Sequence, residues 1–237
     1  MSQTATLILT HGRVHTLDRQ NPVADAVAIA DGKILAVGSH DRIMSFAADG
    51  TQIIDLKGHT AIPGLNDSHL HLIRGGLNYN LELRWEGVPS LADALRMLRE
   101  QAARTPAPQW VRVIGGWSEF QFAERRMPTL DEINAAAPDT PVFVLHLYAR
   151  ALLNRAALRV LGIGPDTPNP PGGVIERDAR GNPTGMLLAK PSALILYSTL
   201  AQGPKLPLQD QINSTRHFMR ELNRLGITSV IDAGGGG

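Results

Sequence analysis

Beyond Gly58 the sequence changes rhythm, and segments that read as strands begin to alternate with segments that read as helices. That order constrains the fold more than any other feature, because a strand–helix–strand repeat implies a parallel sheet or a barrel. The first strand of the series spans residues 61–72. An amphipathic helix follows at 91–103, with Ser90 as N-cap and Leu91, Leu95 and Leu98 at helical spacing. Residues 110–116 and 141–148 read as further strands. Between them, Thr129-Leu-Asp-Glu132 has the form of a capping box, in which hydroxyl and carboxylate reciprocally satisfy free backbone N–H groups; its helix ends before Pro138. Residues 166–173, rich in Pro, Asp, Asn and Gly, form a surface loop, and a hairpin turns at 179–182. Late in the chain, Ile212, Phe218, Met219, Leu222 and Leu225 share a broad helical face, Gly226 holds the C′ position, and 227–232 is a strand. The glycines at 234–237 read as an ordinary loop.

Residues 6–58 are different in kind: short β-prone segments at 7–9, 13–16, 26–29, 33–37 and 52–55, separated by turn signals. Asp31-Gly32 between two apolar runs is a hairpin signal, because the turn needs positive φ. A brief helix at 41–47 links strands. So few strands cannot close a sandwich core alone. The expected division is an incomplete small β-sandwich domain at 1–58 and a strand–helix domain at 59–237.

The charge balance, 23 basic against 22 acidic residues mixed along the chain, leaves no electrostatic footprint for nucleic acid or an acidic membrane. The expected partner is a small molecule, and a homo-oligomer is compatible with the sequence. Neither a secretory leader nor an apolar run long enough to cross a membrane is evident, so a cytoplasmic location is expected. With no cysteine, any metal must be held by nitrogen and oxygen.

Asp67-Ser-His-Leu-His71 carries the chemistry. Residues two apart in a strand project to one face, which would set Asp67, His69 and His71 together and Leu70 and Leu72 opposite. Each neutral imidazole offers a lone pair to Zn²⁺ or a similar ion, and Asp67 is a candidate acceptor for a second ring nitrogen. A His-x-His pair also occurs as a satisfied structural pair, so context decides between the two.

The context is a resemblance. Pro63-Gly-Leu-Asn-Asp-Ser-His-Leu-His71, preceded by the strand-like Gln52-Ile-Ile-Asp-Leu-Lys-Gly58, resembles the first barrel strand of the amidohydrolase superfamily. Gly115-Gly-Trp117, Met127-Pro-Thr-Leu-Asp131, Pro141-Val-Phe-Val144 and Gly181-Asn-Pro-Thr-Gly-Met-Leu187 are similar to the branch holding N-substituted formamide deformylase-like and exoenzyme-regulator-like amidohydrolases. The likeness runs along essentially the whole chain. It implies an α/β fold, the N-terminal part of a TIM-type (β/α)8 metallo-hydrolase barrel with a small β-sandwich domain, apparently truncated, with an α+β region inserted at about 78–190.

What the resemblance implies chemically is hydrolysis of a non-peptide carbon–nitrogen bond (amide, formamide or cyclic amide) by metal-activated water, with one or two divalent ions, zinc foremost. His69 and His71 would be metal ligands. Lys190, after the Thr-Gly-x-Leu element, would bridge a second ion if carbamylated, since a free ammonium has no acceptor and burial favours the amine that reacts with carbon dioxide. The catalytic general base would lie beyond the end of this chain, as would the remaining histidines. The 237 residues are therefore expected to be an incomplete N-terminal portion. A non-catalytic amidohydrolase-like fragment or binding protein, and a metal-assisted deaminase of a heterocycle, stand as alternatives. His146 is a further candidate to face the pocket, Trp117, Phe120 and Phe122 could wall one, and His11, His15, His40, His59 and His217 read as structural.

Overall fold

A computed structural model describes residues 3–233; the glycines at 234–237, expected as a loop, lie outside the described residues. The chain divides into two compact units, Met1–Leu70 with Leu222–Ile231, and His71–Glu221 with Asp232–Gly237.

The first unit holds β1 (Leu7–Thr10), β2 (Arg13–His15), β3 (Val23–Ala24), β4 (Ala26–Ala30), β5 (Lys33–Gly38), α1 (His40–Met44), β6 (Gln52–Asp55), β7 (Thr60–Ala61) and β8 (Leu65–Leu70). A four-stranded sheet runs β5-β4-β1-β6 and a three-stranded one β3-β2-β7. Strands β4 and β5 pair antiparallel through the expected two-residue turn, where Asp31 and Gly32 take φ of 51° and 73°. Ile8, Ala26, Ala28 and Ile43 form a small core with Ala5, packed by Leu35, Met44 and Phe46. All the strands expected before residue 58 are present.

The second unit contains α2 (Leu72–Gly76), β9 (Glu82–Leu83), α3 (Leu91–Arg104), β10 (Val111–Val113), α4 (Leu130–Ala136), β11 (Val142–His146), β12 (Arg150–Leu153), α5 (Arg155–Leu161), β13 (Gly173–Arg177), β14 (Pro183–Ala189), α6 (Leu194–Leu200) and most of α7 (Leu208–Arg224). Its six-stranded sheet has the order β13-β14-β12-β11-β10-β9. Strands β9, β10 and β11 are parallel, as the strand–helix alternation predicts, while β12 and the β13–β14 hairpin add antiparallel strands. Along β11, Val142 and Val144 enter one core with Leu98, Trp117 and Ile133, and Phe143 and Leu145 enter another with Leu153, Ala157 and Leu187. Both faces are covered, which is why this strand reads as a continuous apolar run.

The helix starts follow the capping logic. Ser90 Oγ accepts from Asp93 N at 3.0 Å, Thr129 Oγ1 accepts from Glu132 N at 3.2 Å, and Glu132 Oε2 accepts in return from Thr129 N at 2.8 Å. Strand β15 (Ile227–Asp232) follows α7 and pairs with β8 in a two-stranded ladder. The expected apolar face of α7 is only partly realised: Leu222 is buried, while Ile212, Met219 and Leu225 remain exposed because the described residues bring nothing over them. Among the described residues no helix is long and apolar enough to cross a membrane.

Candidate metal centre

The strand bearing the histidine motif is shorter than expected. Pro63 has no N–H for a ladder, and Gly64 passes so close to Thr228 that a Cβ there would lie 2.1 Å from the threonine Oγ1. Regular pairing therefore starts at Leu65, whose N–H donates to Gly226 O at 2.8 Å. Within β8, Asp67 and His69 fall on one face by alternation. Asp67 is half-buried and its Oδ1 accepts the backbone N–H of His69 at 2.9 Å, so the carboxylate fixes the main chain on which His69 stands. The imidazole of His69 belongs to an exposed residue.

His71 departs from the expectation that it shares that strand face. The strand stops at Leu70, and His71, with φ −99° and ψ 72°, is the N-cap residue of α2. Its backbone has left the extended region, so strand alternation no longer sets its direction. His71 is half-buried and makes no capping bond with its own side chain. That task falls to Asp232, whose Oδ2 accepts from Ile73 N at 3.0 Å. Oδ1 of the same carboxylate is buried and has no hydrogen-bond partner among the described residues.

A desolvated carboxylate oxygen without a donor is costly, and the physical remedies are a hydrogen-bond donor or a cation. Imidazole nitrogen and carboxylate oxygen are the donor types that suit zinc and similar divalent ions. Among the described residues no group of three or more His, Asp or Glu is gathered closely enough to hold one. The sequence did not single out Asp232 as the residue that caps α2.

Lys190 follows β14, its N–H donates to Gly172 O at 2.9 Å, and its side chain is exposed. The burial that would favour carbamylation is not supplied by the described residues.

His146 is buried, but not as a free base. Its Nε2 lies 2.6 Å from Glu119 Oε2, and Arg150 Nε donates to its Nδ1 at 3.3 Å. Because a guanidinium N–H can only donate, Nδ1 must accept and the ring proton sits on Nε2, which donates to Glu119. Arg150 Nη2 donates to Glu119 Oε1 at 3.0 Å, closing the cluster. Burial pushes the Glu119 carboxyl up, yet its backbone hydrogen bond, His146 and the Arg150 charge outweigh this and hold it below the ordinary range. Both imidazole nitrogens are thus committed to structure. Trp117 and Phe122 are core, whereas Phe120 is 68% exposed.

Other histidines have structural partners. His11 stacks on His40 with ring centres 4.4 Å apart and lies 3.5 Å from Asp55, and His59 Nδ1 is 2.7 Å from Leu56 O. His217 Nδ1 is 2.7 Å from Asn80 Oδ1.

Comparison with known proteins adds the following. Residues 52–237 match the model of the amidohydrolase family. The chain is 31% identical over 235 residues to an N-substituted formamide deformylase of Arthrobacter pascens, covering 98% of this chain and 43% of that protein. It is 25% identical over 232 residues to the exoenzymes regulatory protein AepA of Pectobacterium carotovorum, covering 96% and 49% respectively. A solved structure, an uncharacterized metal-dependent hydrolase from Pyrococcus horikoshii, superposes with a TM-score of 0.56 at 24% identity, over 94% of this chain and 42% of that one. The chain spans less than half the length of each of these proteins.

Proposed function

The chain belongs to the amidohydrolase family, and from that premise we propose that it is the portion of a metal-dependent hydrolase that carries the first metal-binding strand, acting on non-peptide carbon–nitrogen bonds of an amide, formamide or cyclic amide. The observation that carries this is the Asp67-Ser-His-Leu-His71 segment at the β8–α2 junction, inside the region that matches the family.

His69 and His71 would hold a divalent ion, zinc being the natural choice for imidazole ligands without thiolates. Such an ion, when bound, polarises a carbonyl and brings the pKa of water down to about 7. The protein's own contribution is positional. Asp67 clamps the backbone at His69, and Asp232 clamps the backbone two residues beyond His71. Lys190 enters as a bridge to a second ion only in a carbamylated form, and its exposure argues against that form in these residues.

Strands β8 and β15 would be the first two strands of a (β/α)8 barrel, with the six-stranded sheet as an insertion between them. Supporting this, Leu65, Ile231, Met219 and Leu225 stand exposed on the ladder and on α7, although a two-stranded ladder cannot stabilise itself in water. Further strands would cover them. On this reading the general base and remaining ligands would come from outside these residues.

Metal analysis tests the assignment. Protein purified without chelator should carry about one metal equivalent, as preformed imidazole sites do, and His69→Ala or His71→Ala should abolish it. Metal-free protein whose stability is indifferent to both substitutions would overturn the assignment in favour of a non-catalytic relative.

A further inference from the structure

We propose that the cavity lined by α4, the turn after it and α5 binds a small zwitterion of the α-amino acid kind, with its carboxylate on Arg159 and Asn134 and its ammonium on Asp139. The cavity holds about 440 Å³, within the range of small-molecule sites, and Asp131, Asn134, Pro138, Asp139, Arg155 and Arg159 line it. It lies wholly inside the second unit and is independent of the metal assignment above.

Asp131 and Asn134, three apart on α4, share a face, as do Arg155 and Arg159, four apart on α5. The two helices are tied together: Arg155 Nη2 donates to Asp131 Oδ1 at 3.2 Å, and Asn134 Oδ1 accepts from Arg155 N at 2.8 Å. The second bond fixes the Asn134 amide, because a flipped amide would turn a donor toward the Arg155 N–H. Its Nδ2 is thereby left buried with no acceptor among the described residues, whereas buried donors in folded proteins are nearly all satisfied. Arg159 and Asp139 likewise have no ion-pair partner among the described residues. The cavity therefore offers unmet donors and an unmet carboxylate together.

Charge decides the class of ligand. With two arginines and two aspartates in the lining, a bare anion such as phosphate would meet both carboxylates, and a bare cation would meet both guanidinium groups. A zwitterion answers both signs. Its carboxylate suits the planar fork of Arg159 and the Asn134 N–H, and its ammonium suits Asp139.

The experiment titrates the 237-residue chain with L-alanine and, in parallel, with propionate, ethylamine and inorganic phosphate, following the three organic probes by saturation-transfer NMR and phosphate by calorimetry. L-alanine should bind at least about fivefold more tightly than any of the other three, and Arg159→Gln and Asp139→Asn should each weaken it by about fivefold or more, as loss of a charge-assisted contact does. Asn134→Asp keeps the oxygen that accepts from Arg155 N and replaces the amide donor with a carboxylate oxygen, so it too should weaken alanine binding. Arg159 and Asp139 are exposed, so their variants should unfold at the parent's temperature and decide the matter even where Asn134→Asp does not fold. A parent chain that takes up no alanine, or that binds propionate, ethylamine or phosphate as tightly, would overturn the proposal. Parent-like alanine affinity in folded Arg159→Gln and Asp139→Asn chains would overturn it as well.

Discussion

The six-stranded sheet and the β8–β15 ladder are both made of short strands, yet they differ in what covers them. Phe143, in the middle of the sheet, is 0% exposed, while Leu65 and Ile231 on the ladder are 46% and 65% exposed. The sheet carries two apolar cores, one on each face, and polar clusters that satisfy themselves, as Glu119, His146 and Arg150 do. The ladder carries His69 and ends at Asp232, one of whose oxygens is satisfied by nothing in the described polypeptide. The sheet thus holds the stability, and the proposed assignment puts the chemistry elsewhere. On the proposed assignment, the region whose physics closes on itself is scaffold and the ladder is where a metal ion would bind.

The largest effect that can break this contrast comes from deleting one large apolar side chain in each region. Phe143→Ala should destabilise the sheet by about 3–5 kcal/mol, since it removes a fully buried ring and leaves a cavity. Leu65→Ala should cost no more than about 0.5 kcal/mol, as for a side chain that already meets water. All three tryptophans, Trp85, Trp110 and Trp117, are buried in the second unit, so their fluorescence in a denaturant series reads Phe143→Ala, while Leu65→Ala, in the first unit, is read by far-ultraviolet circular dichroism of the whole chain. Equal shifts from the two substitutions would mean that the ladder is buried in solution.

A smaller effect sharpens the claim that the sheet's polar cluster is structural. Glu119→Gln removes the charge and one of the two acceptor oxygens that bind His146 Nε2–H and Arg150, leaving an amide donor facing a donor, and should cost about 1–3 kcal/mol in the same fluorescence assay. Metal affinity should not move. If the substitution changed metal binding while sparing stability, the division between scaffold and chemistry would fail.

How much of this could be read from sequence depended on whether a residue's role is local. The Asp31-Gly32 turn, the Ser90 cap, the Thr129–Glu132 box and the C′ Gly226 are fixed by neighbours a few positions away, and each appears where expected. The histidine motif was legible for the same reason. The direction of His71 was not, because it stands at the start of α2, which is capped by Asp232, 159 residues beyond Ile73. Likewise, nothing in β11 announces Glu119 as the partner of His146. The pairing of β11 with β12 and of β12 with β14 also escaped, since the insertion of antiparallel strands beside parallel ones is a tertiary choice.

The smallest expected effect concerns acid, and it again falls on the sheet unit. Glu132 is held at about 2, against an ordinary value of 4.5, chiefly by its hydrogen bonds with Arg126 Nη2 at 2.7 Å and Nη1 at 2.8 Å, together with Thr129 N. Its folded-state value is depressed, so its contribution to stability is complete above 4.5 and is lost as pH falls through about 2. The start of α4 should therefore loosen across that window, and the tryptophan core, which Ile133 of the same helix touches, should report it. Glu132→Gln should flatten this part of the acid profile, and Thr129→Ala should cost about 1 kcal/mol without flattening it, because the arginine pair survives. Arg126 is about half exposed, so salt should shrink the effect further. An acid profile unchanged by Glu132→Gln would show that the carboxylate behind the sheet's acid sensitivity lies elsewhere, with Glu119, also held below the ordinary range, the next to replace.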